Sequence, residues 1–349
     1  MKKYLALLLA MMLMLACFAG CGSTEEAAAP AEEAVEAAPA EEAAEEAAEE
    51  ASVSANLAMG TGGESGTYYA FGGVLSGYIG ENTDITINYV SSGGTKANIE
   101  GIDVGEFDLA TVQSDVSTYA FFGTNSFEES GAIDSFSILG ALYSEAVQIV
   151  TCNPEIDSVD DLAGKSICVG DVGSGTYYNT IDILAAYGLT LDDVNPIYQS
   201  FGDSTESLKD GKIDAAFICA GAPTTAVTDL ATSKDVYLIS IDDEHMATLL
   251  EACPWYAELV IPAGTYAGFD QDATTITVKA TLACRADLDE DVAYTIVSTI
   301  FENTEAITER HAKGAELSLE FATDGIAVPF HAGAARYYAE NGITAEIAE

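Results

Sequence analysis

The same five residues, Ser-Gly-Thr-Tyr-Tyr, occur twice in this chain, at 65–69 and at 174–178. Each copy closes a glycine-rich turn behind a short apolar run and opens a helical pattern, so the chain is expected to contain two halves built on the same strand–turn–helix plan. The rest of the sequence agrees. Val- and Ile-rich runs at Leu57–Gly60, Ile85–Val90, Phe107–Val112, Phe136–Tyr143, Val147–Cys152, Ser166–Gly170, Ile213–Ala220, Val236–Ile241 and Ile276–Cys284 read as strands. Helical patterns lie between them at Thr67–Ile79, Thr176–Tyr187 and Glu290–Arg310; in the last, Val292, Ile296, Ile300 and Phe301 share one face. Such alternation predicts α/β domains with mainly parallel sheets.

In sheets of this kind a ligand sits at the carboxyl ends of the strands, where the next helix begins, and both copies of the repeat fall at that point. Glycine lets backbone approach a ligand, Ser and Thr add hydroxyls, and the free N–H groups of a helix start attract anions. Ser and Thr before a helix also serve as simple N-caps, and Tyr beyond them as core packing. The identity of the two copies favours loops that face each other across a cleft.

Composition narrows the partners. With 12 Lys+Arg against 57 Asp+Glu the net charge is -45, which disfavours nucleic acid, because phosphate binding needs Lys or Arg to displace counterions. Part of the charge sits in the first segment. Lys2 and Lys3 precede an apolar run from Leu5 to Ala16 that is shorter than the roughly 20 residues of a membrane span and suits a secretory signal. It ends in Phe18-Ala19-Gly20-Cys21. Residues 1–21 therefore resemble a bacterial lipoprotein signal with Cys21 as the lipidated residue; Cys17 is a competing position. Residues 22–52 carry eleven glutamates, no basic residue and mainly alanine, the composition of an acidic disordered tether. Residues 53–349 retain 10 basic and 46 acidic residues, a net -36.

Five cysteines remain beyond the signal (Cys152, Cys168, Cys219, Cys253, Cys284), without CxxC spacing, and are expected as buried free thiols. No zinc pattern and no catalytic constellation is present, and neither a metal nor a cofactor is expected. Asp242-Asp243-Glu244-His245 has metal-ligand chemistry but also the composition of a helix start. Gly60-Thr61-Gly62 begins like a dinucleotide fingerprint, yet Ser65 occupies the third glycine position and Val90-Ser91-Ser92 lacks the acidic ribose ligand.

Gly60-Thr61-Gly62-Gly63-Glu64-Ser65-Gly66-Thr67-Tyr68-Tyr69 resembles the opening signature of the TAXI-type solute receptors of TRAP transporters. The resemblance continues through Ser91-Ser92-Gly93-Gly94, Val112-Gln113-Ser114-Asp115, Gly173-Ser174-Gly175-Thr176, Gly221-Ala222-Pro223-Thr224, Ile261 to Tyr266 and Val328 to Tyr338. Ala70 and Ala332 depart from the prolines usual at those places. The resemblance implies a two-lobed periplasmic-binding-protein type II fold with two hinge strands. It also implies a non-enzymatic, monomeric extracytoplasmic receptor, lipid-anchored to the cell membrane, that delivers a small carboxylate such as glutamate, glutamine or 2-oxoglutarate to a TRAP membrane permease. An ABC-linked binding protein of similar fold is the near alternative and an extracellular enzyme the far one.

Carried over residue by residue, the resemblance places Gly62, Gly66, Thr67, Tyr69, Ser91 and Gly94 on the first wall of the site, with Gln113 and Ser114 able to hold a carboxylate or amide. Ser174, Gly175 and Thr176 would supply the opposing helix start, and Gly221 and Pro223 the rim. The expected layout is a first lobe of residues 53–144 and 281–349 and a second of 145–280. His331 is read as standing before a surface helix at Ala335-Arg336-Tyr337-Tyr338.

Overall fold

The computed structural model describes residues 53–347. The expected signal segment with Cys21 and the whole of the expected tether lie outside them.

The chain begins with β1 (Ser54–Gly60), α1 (Thr67–Asn82), β2 (Asp84–Val90), α2 (Thr95–Asp103), β3 (Leu109–Gln113) and α3 (Ser114–Phe122). It then enters β4 (Phe136–Thr151), a single 16-residue strand. After it come β5 (Ser166–Cys168), α4 (Gly175–Ala186), β6 (Asn195–Ile197), α5 (Phe201–Lys209), β7 (Ala215–Ala220) and α6 (Thr225–Ala231). Next are β8 (Tyr237–Leu238), α7 (Asp243–Ala252), β9 (Ala257–Ile261) and the long β10 (Ala273–Arg285). Helices α8 (Glu290–Phe301), α9 (Thr304–Arg310), α10 (Leu319–Thr323) and α11 (Ala332–Glu340) follow.

The sheet order β2-β1-β3-β10-β4-β7-β5-β6 contains the same arrangement twice. In the first half β1 lies between β2 and β3, all parallel, and β10 runs antiparallel against β3. In the second half β5 lies between β6 and β7, all parallel, and β4 runs antiparallel against β7. Each half is thus a parallel trio closed by one strand of the antiparallel pair β4–β10, which passes through both. This is the two-lobed type II periplasmic-binding-protein fold. The repeated pentapeptide follows the central strand of each trio, so its two copies occupy equivalent positions.

Buried apolar side chains form three clusters. One draws on residues 57–143 and 280–338; the other two draw on residues 146–278. Helix α1 shows how a helix is docked: Tyr68, Phe71, Leu75, Tyr78 and Ile79 recur at helical spacing and are buried. Its last turn is closed by Thr83, whose backbone N–H and hydroxyl both donate to Ile79 O.

Several expectations change. The two strands expected at Phe136–Tyr143 and Val147–Cys152 are one, because Ser144 and Glu145 continue the ladder opposite Lys279 and Val278. The helix expected over Glu290–Arg310 is two, interrupted at Glu302 and Asn303. The helix at 332–340 is not a surface element. Tyr337 and Tyr338 are buried, and the Tyr338 hydroxyl donates to Leu139 O at 2.8 Å. Leu139 is an extra residue in β4, since Ala283 faces Ile138 while Leu282 faces Gly140, and a bulge leaves its backbone outside the regular ladder. Tyr338→Phe is therefore expected to orphan this carbonyl and lower stability by about 1 to 3 kcal/mol, read as a drop in the urea midpoint at unchanged slope.

Candidate functional site

Where the trios' strands end, loops and helix starts from both lobes enclose a cavity of about 60 Å³. From the first lobe it is lined by Gly62, Gly66, Thr67 and Tyr68 of the β1–α1 turn, by Gly94 and Thr95 at the start of α2, and by Gln113 at the end of β3. From the second it is lined by Asp171, Ser174, Gly175 and Thr176 of the β5–α4 turn, by Ser200 and Phe201 at the start of α5, and by Cys219 at the end of β7. Glu145, on β4, completes the lining.

The walls meet closely. A Cβ on Gly175 would overlap Gln113 Oε1, so only glycine permits this approach. Gly94, at φ 93°, brings its backbone against Ser174. Hydrogen bonds cross between the lobes. Thr67 Oγ1 donates to Gly221 O at 3.0 Å, Gln113 Nε2 to Asn179 Oδ1 at 2.9 Å, Lys96 N to Gly173 O at 3.0 Å, and Ala226 N to Ser65 O at 3.1 Å.

The helix starts at the two pentapeptides are not closed by side chains. Gly66 and Ser174 hold the N-cap positions of α1 and α4, and neither side chain caps its helix. The first-turn N–H groups of a helix have no acceptor within it, so both starts present donors and the positive end of a helix dipole. Ser174 Oγ is buried and has no hydrogen-bond partner among the described residues. The N-cap role considered for these residues is thus absent, and their polar groups are left available in the cavity.

The lining includes no Lys or Arg. Its deepest charged group is Glu145, 2% exposed, whose Oε2 accepts the Tyr68 hydroxyl at 2.6 Å. Burial pushes the Glu145 carboxyl up to about 8; the Tyr68 hydrogen bond opposes this. Asp115, in the first turn of α3, is likewise raised to about 7 by burial, and its Oδ2 accepts from Asn179 Nδ2 at 3.1 Å.

Of the residues anticipated for the site, Gly62, Gly66, Thr67, Gly94, Gln113, Ser174, Gly175 and Thr176 come together around the cavity. Gln113 Nε2, however, is already engaged by Asn179 and by Cys219 Sγ. Tyr69 lies off the lining, its ring edge-on to Tyr89; Tyr68 takes the inward position. Ser91 lies in an adjoining hollow with Glu64 and Ser65. Ser114 Oγ accepts from Lys279 N. Gly221 takes part through its carbonyl, and Pro223 lines a separate hollow beside Lys313.

Sequence reasoning passed over Tyr68, Thr95, Glu145, Asp171, Ser200, Phe201 and Cys219. For Glu145 a signal existed: a lone carboxylate between two long apolar runs. The acidic run at 242–245 is a helix cap, with Asp242 Oδ1 accepting from Glu244 N and His245 N. All five described cysteines are free, four of them buried.

A cleft between two lobes that share a pair of crossing strands, lined by glycines, hydroxyls and open helix starts, defines the class as the type II binding-protein fold. The chain belongs to the NMT1-like family, which it matches over residues 59–342. Among solved structures it is similar to the alkanesulfonate-binding protein SsuA from Xanthomonas axonopodis pv. citri, at 15% identity and a TM-score of 0.45, over 82% of this chain and 91% of that one. It is also similar to a putative L-cystine ABC transporter protein from Listeria monocytogenes, at 14% identity and a TM-score of 0.48, over 76% and 98%. A third is the GluR0 ligand-binding core from Nostoc punctiforme in complex with L-glutamate, at 14% identity and a TM-score of 0.46, over 75% and 99%.

The buried carboxyls set a pH dependence. Both folded values lie above the roughly 4 of an unfolded Asp or Glu, so the folded chain holds protons that the unfolded chain has released. Their stabilisation is complete below about pH 4 and is lost as pH rises through about 7 for Asp115 and about 8 for Glu145. Urea unfolding is expected to show stability falling between pH 5 and 8 by up to about 1.4 kcal/mol per pH unit per group, and Glu145→Gln should flatten the profile.

Proposed function

We propose that this protein is an extracytoplasmic solute-binding protein that closes its two lobes over a small carboxylate-bearing solute and presents it to a membrane transporter. The observation that carries this reading is the pair of uncapped helix starts, one from each copy of the repeat, bordering one cavity with a buried, unpartnered Ser174 hydroxyl. Helix N-termini contribute about 0.3 to 2 kcal/mol toward an anion, and a hydrogen bond to a charged group about 1.5 to 3. Several together hold a carboxylate without a basic side chain. Family membership supports the reading.

In this reading residues 53–144 with 281–349 form one rigid body and 145–280 the other, with β4 and β10 as the hinge. The candidate ligands are glutamate, glutamine and 2-oxoglutarate, and the transporter is a TRAP permease of the TAXI type, with an ABC permease as the alternative. Reconstitution with each permease in vesicles separates these two, because TRAP uptake follows an ion gradient and ABC uptake follows ATP.

Mass spectrometry of solute released from the purified protein identifies the ligand. Thr176 is buried in the second wall and Thr67 bridges to Gly221. Thr176→Ala is expected to weaken calorimetric affinity by about 1 to 3 kcal/mol with folding intact. Unchanged affinity, with only the melting temperature lowered, would reduce the repeat to a structural role.

Attachment is proposed through acylation of Cys21, since two acyl chains anchor stably where one does not. Cys21→Ala is expected to release the protein to the medium or leave it unprocessed, as read by fractionation; full membrane retention would speak against the anchor.

A further inference from the structure

The cleft's donors account for one end of a ligand, while the one deeply buried ionisable group in its lining, a carboxyl, has the opposite preference. Glu145 lines the same cavity as the helix starts of α1 and α4 and is 2% exposed. One of its oxygens, Oε2, takes the Tyr68 hydroxyl at 2.6 Å, which leaves Oε1 as the oxygen available to a ligand in the cavity. A carboxyl oxygen facing a binding cavity calls for a hydrogen-bond partner from the ligand, and once ionised the carboxylate accepts only. We propose that the cleft selects small amino acids over their 2-oxo counterparts, the ligand ammonium donating to Glu145 while its carboxylate sits at the helix starts and Ser174. This rests on the solute-binding reading above and specifies the class of solute.

The surroundings fit an ammonium better than a second anion. The lining carries no Lys or Arg, and Asp171 stands at its margin, shared with the adjoining hollow. The groups facing Glu145 are the Tyr68 hydroxyl from α1, Tyr143 on its own strand, Cys219 from β7, Asp115 from α3, and Lys313 from the 312–316 turn. Lys313 is paired with Glu316 at 2.6 Å, so it does not fix Glu145 as a carboxylate, and burial holds the empty site's carboxyl neutral up to about pH 8. An arriving ammonium favours the charged form. The Glu145 proton then leaves to solvent, and an ammonium N–H takes its place as the donor. A 2-oxo acid has no such donor; its keto oxygen would meet the protonated carboxyl as an acceptor, with no proton released.

The test is calorimetry of the full-length protein at pH 7 with two matched pairs, L-glutamate against 2-oxoglutarate and L-alanine against pyruvate, each in phosphate and in Tris. The expected result is that an amino acid binds at least about 10-fold tighter than its oxo partner and releases about one proton, seen as a buffer-dependent heat. Glu145→Gln should weaken amino-acid binding about 10- to 100-fold, abolish the proton release, and leave any oxo-acid binding within about 3-fold. Proton release from the unmodified protein needs no variant and keeps the test open should Glu145→Gln fold poorly. Equal or tighter binding of the oxo acids without proton release overturns the proposal and leaves the solute-binding reading standing. If no probe binds, the co-purified solute decides: an ammonium-bearing one supports the proposal, and one without overturns it. Absence of any retained solute together with no binding sinks both.

Discussion

The antiparallel pair β4–β10 is the constraint on which the molecule depends. Each parallel trio lacks a fourth strand of its own and takes it from this pair, β10 for the first lobe and β4 for the second. Because β10 and β4 also pair with each other, the two halves are joined through one continuous sheet. The two trios then stand with their strand ends toward a common space, which brings the two copies of one five-residue turn to a single cavity. Extra residues in β4 at Leu139 and Leu142, where the register against β10 shifts, increase local twist just before the strand leaves the first lobe.

The cleft reached in this way works with neutral donors and buried acids. Backbone N–H groups, hydroxyls and glycine surfaces make up its walls, and two buried carboxyls, Glu145 in the lining and Asp115 at the start of α3, are pushed by burial toward their neutral forms. Recognition in such a place is local: the orientation of a few groups a few ångströms from the solute outweighs the formal net charge of -36 carried by residues 53–349. The Tyr68–Glu145 hydrogen bond ties the start of α1 to the crossing strand β4.

Much of this plan was legible in the chain. Apolar runs located eight of the ten strands among the described residues, most plainly β3, β4 and β7, which are buried along both faces and so read as continuously apolar, and the duplicated pentapeptide located both walls. What escaped has physical reasons. β6 is three residues with Pro196 at its centre, and β9 is an edge strand carrying an exposed Glu258; neither has a periodicity to read. The polar pair Ser144-Glu145 looked like a break, since sequence alone does not say that Tyr68 would satisfy the carboxyl. Tyr68 and Tyr69 are adjacent and chemically identical. Their roles separate only through helix phase, which turns one toward Glu145 and the other toward Tyr89. Arg336 made α11 look exposed; it pairs outward with Glu290 and Asp291 while the next two tyrosines enter the core.

The hydrogen bonds that cross the cleft between Thr67 and Gly221, Gln113 and Asn179, Lys96 N and Gly173, and Ala226 N and Ser65 all join uncharged donors to uncharged acceptors. A clasp of that kind carries no net charge for ions to screen. The acidic exterior, by contrast, acts on an approaching solute over a distance set by ionic strength, about 8 Å at physiological levels. Arrival and closure are thereby governed separately: the composition of the medium adjusts how often the cleft is visited, while the contact between its two walls is left to geometry.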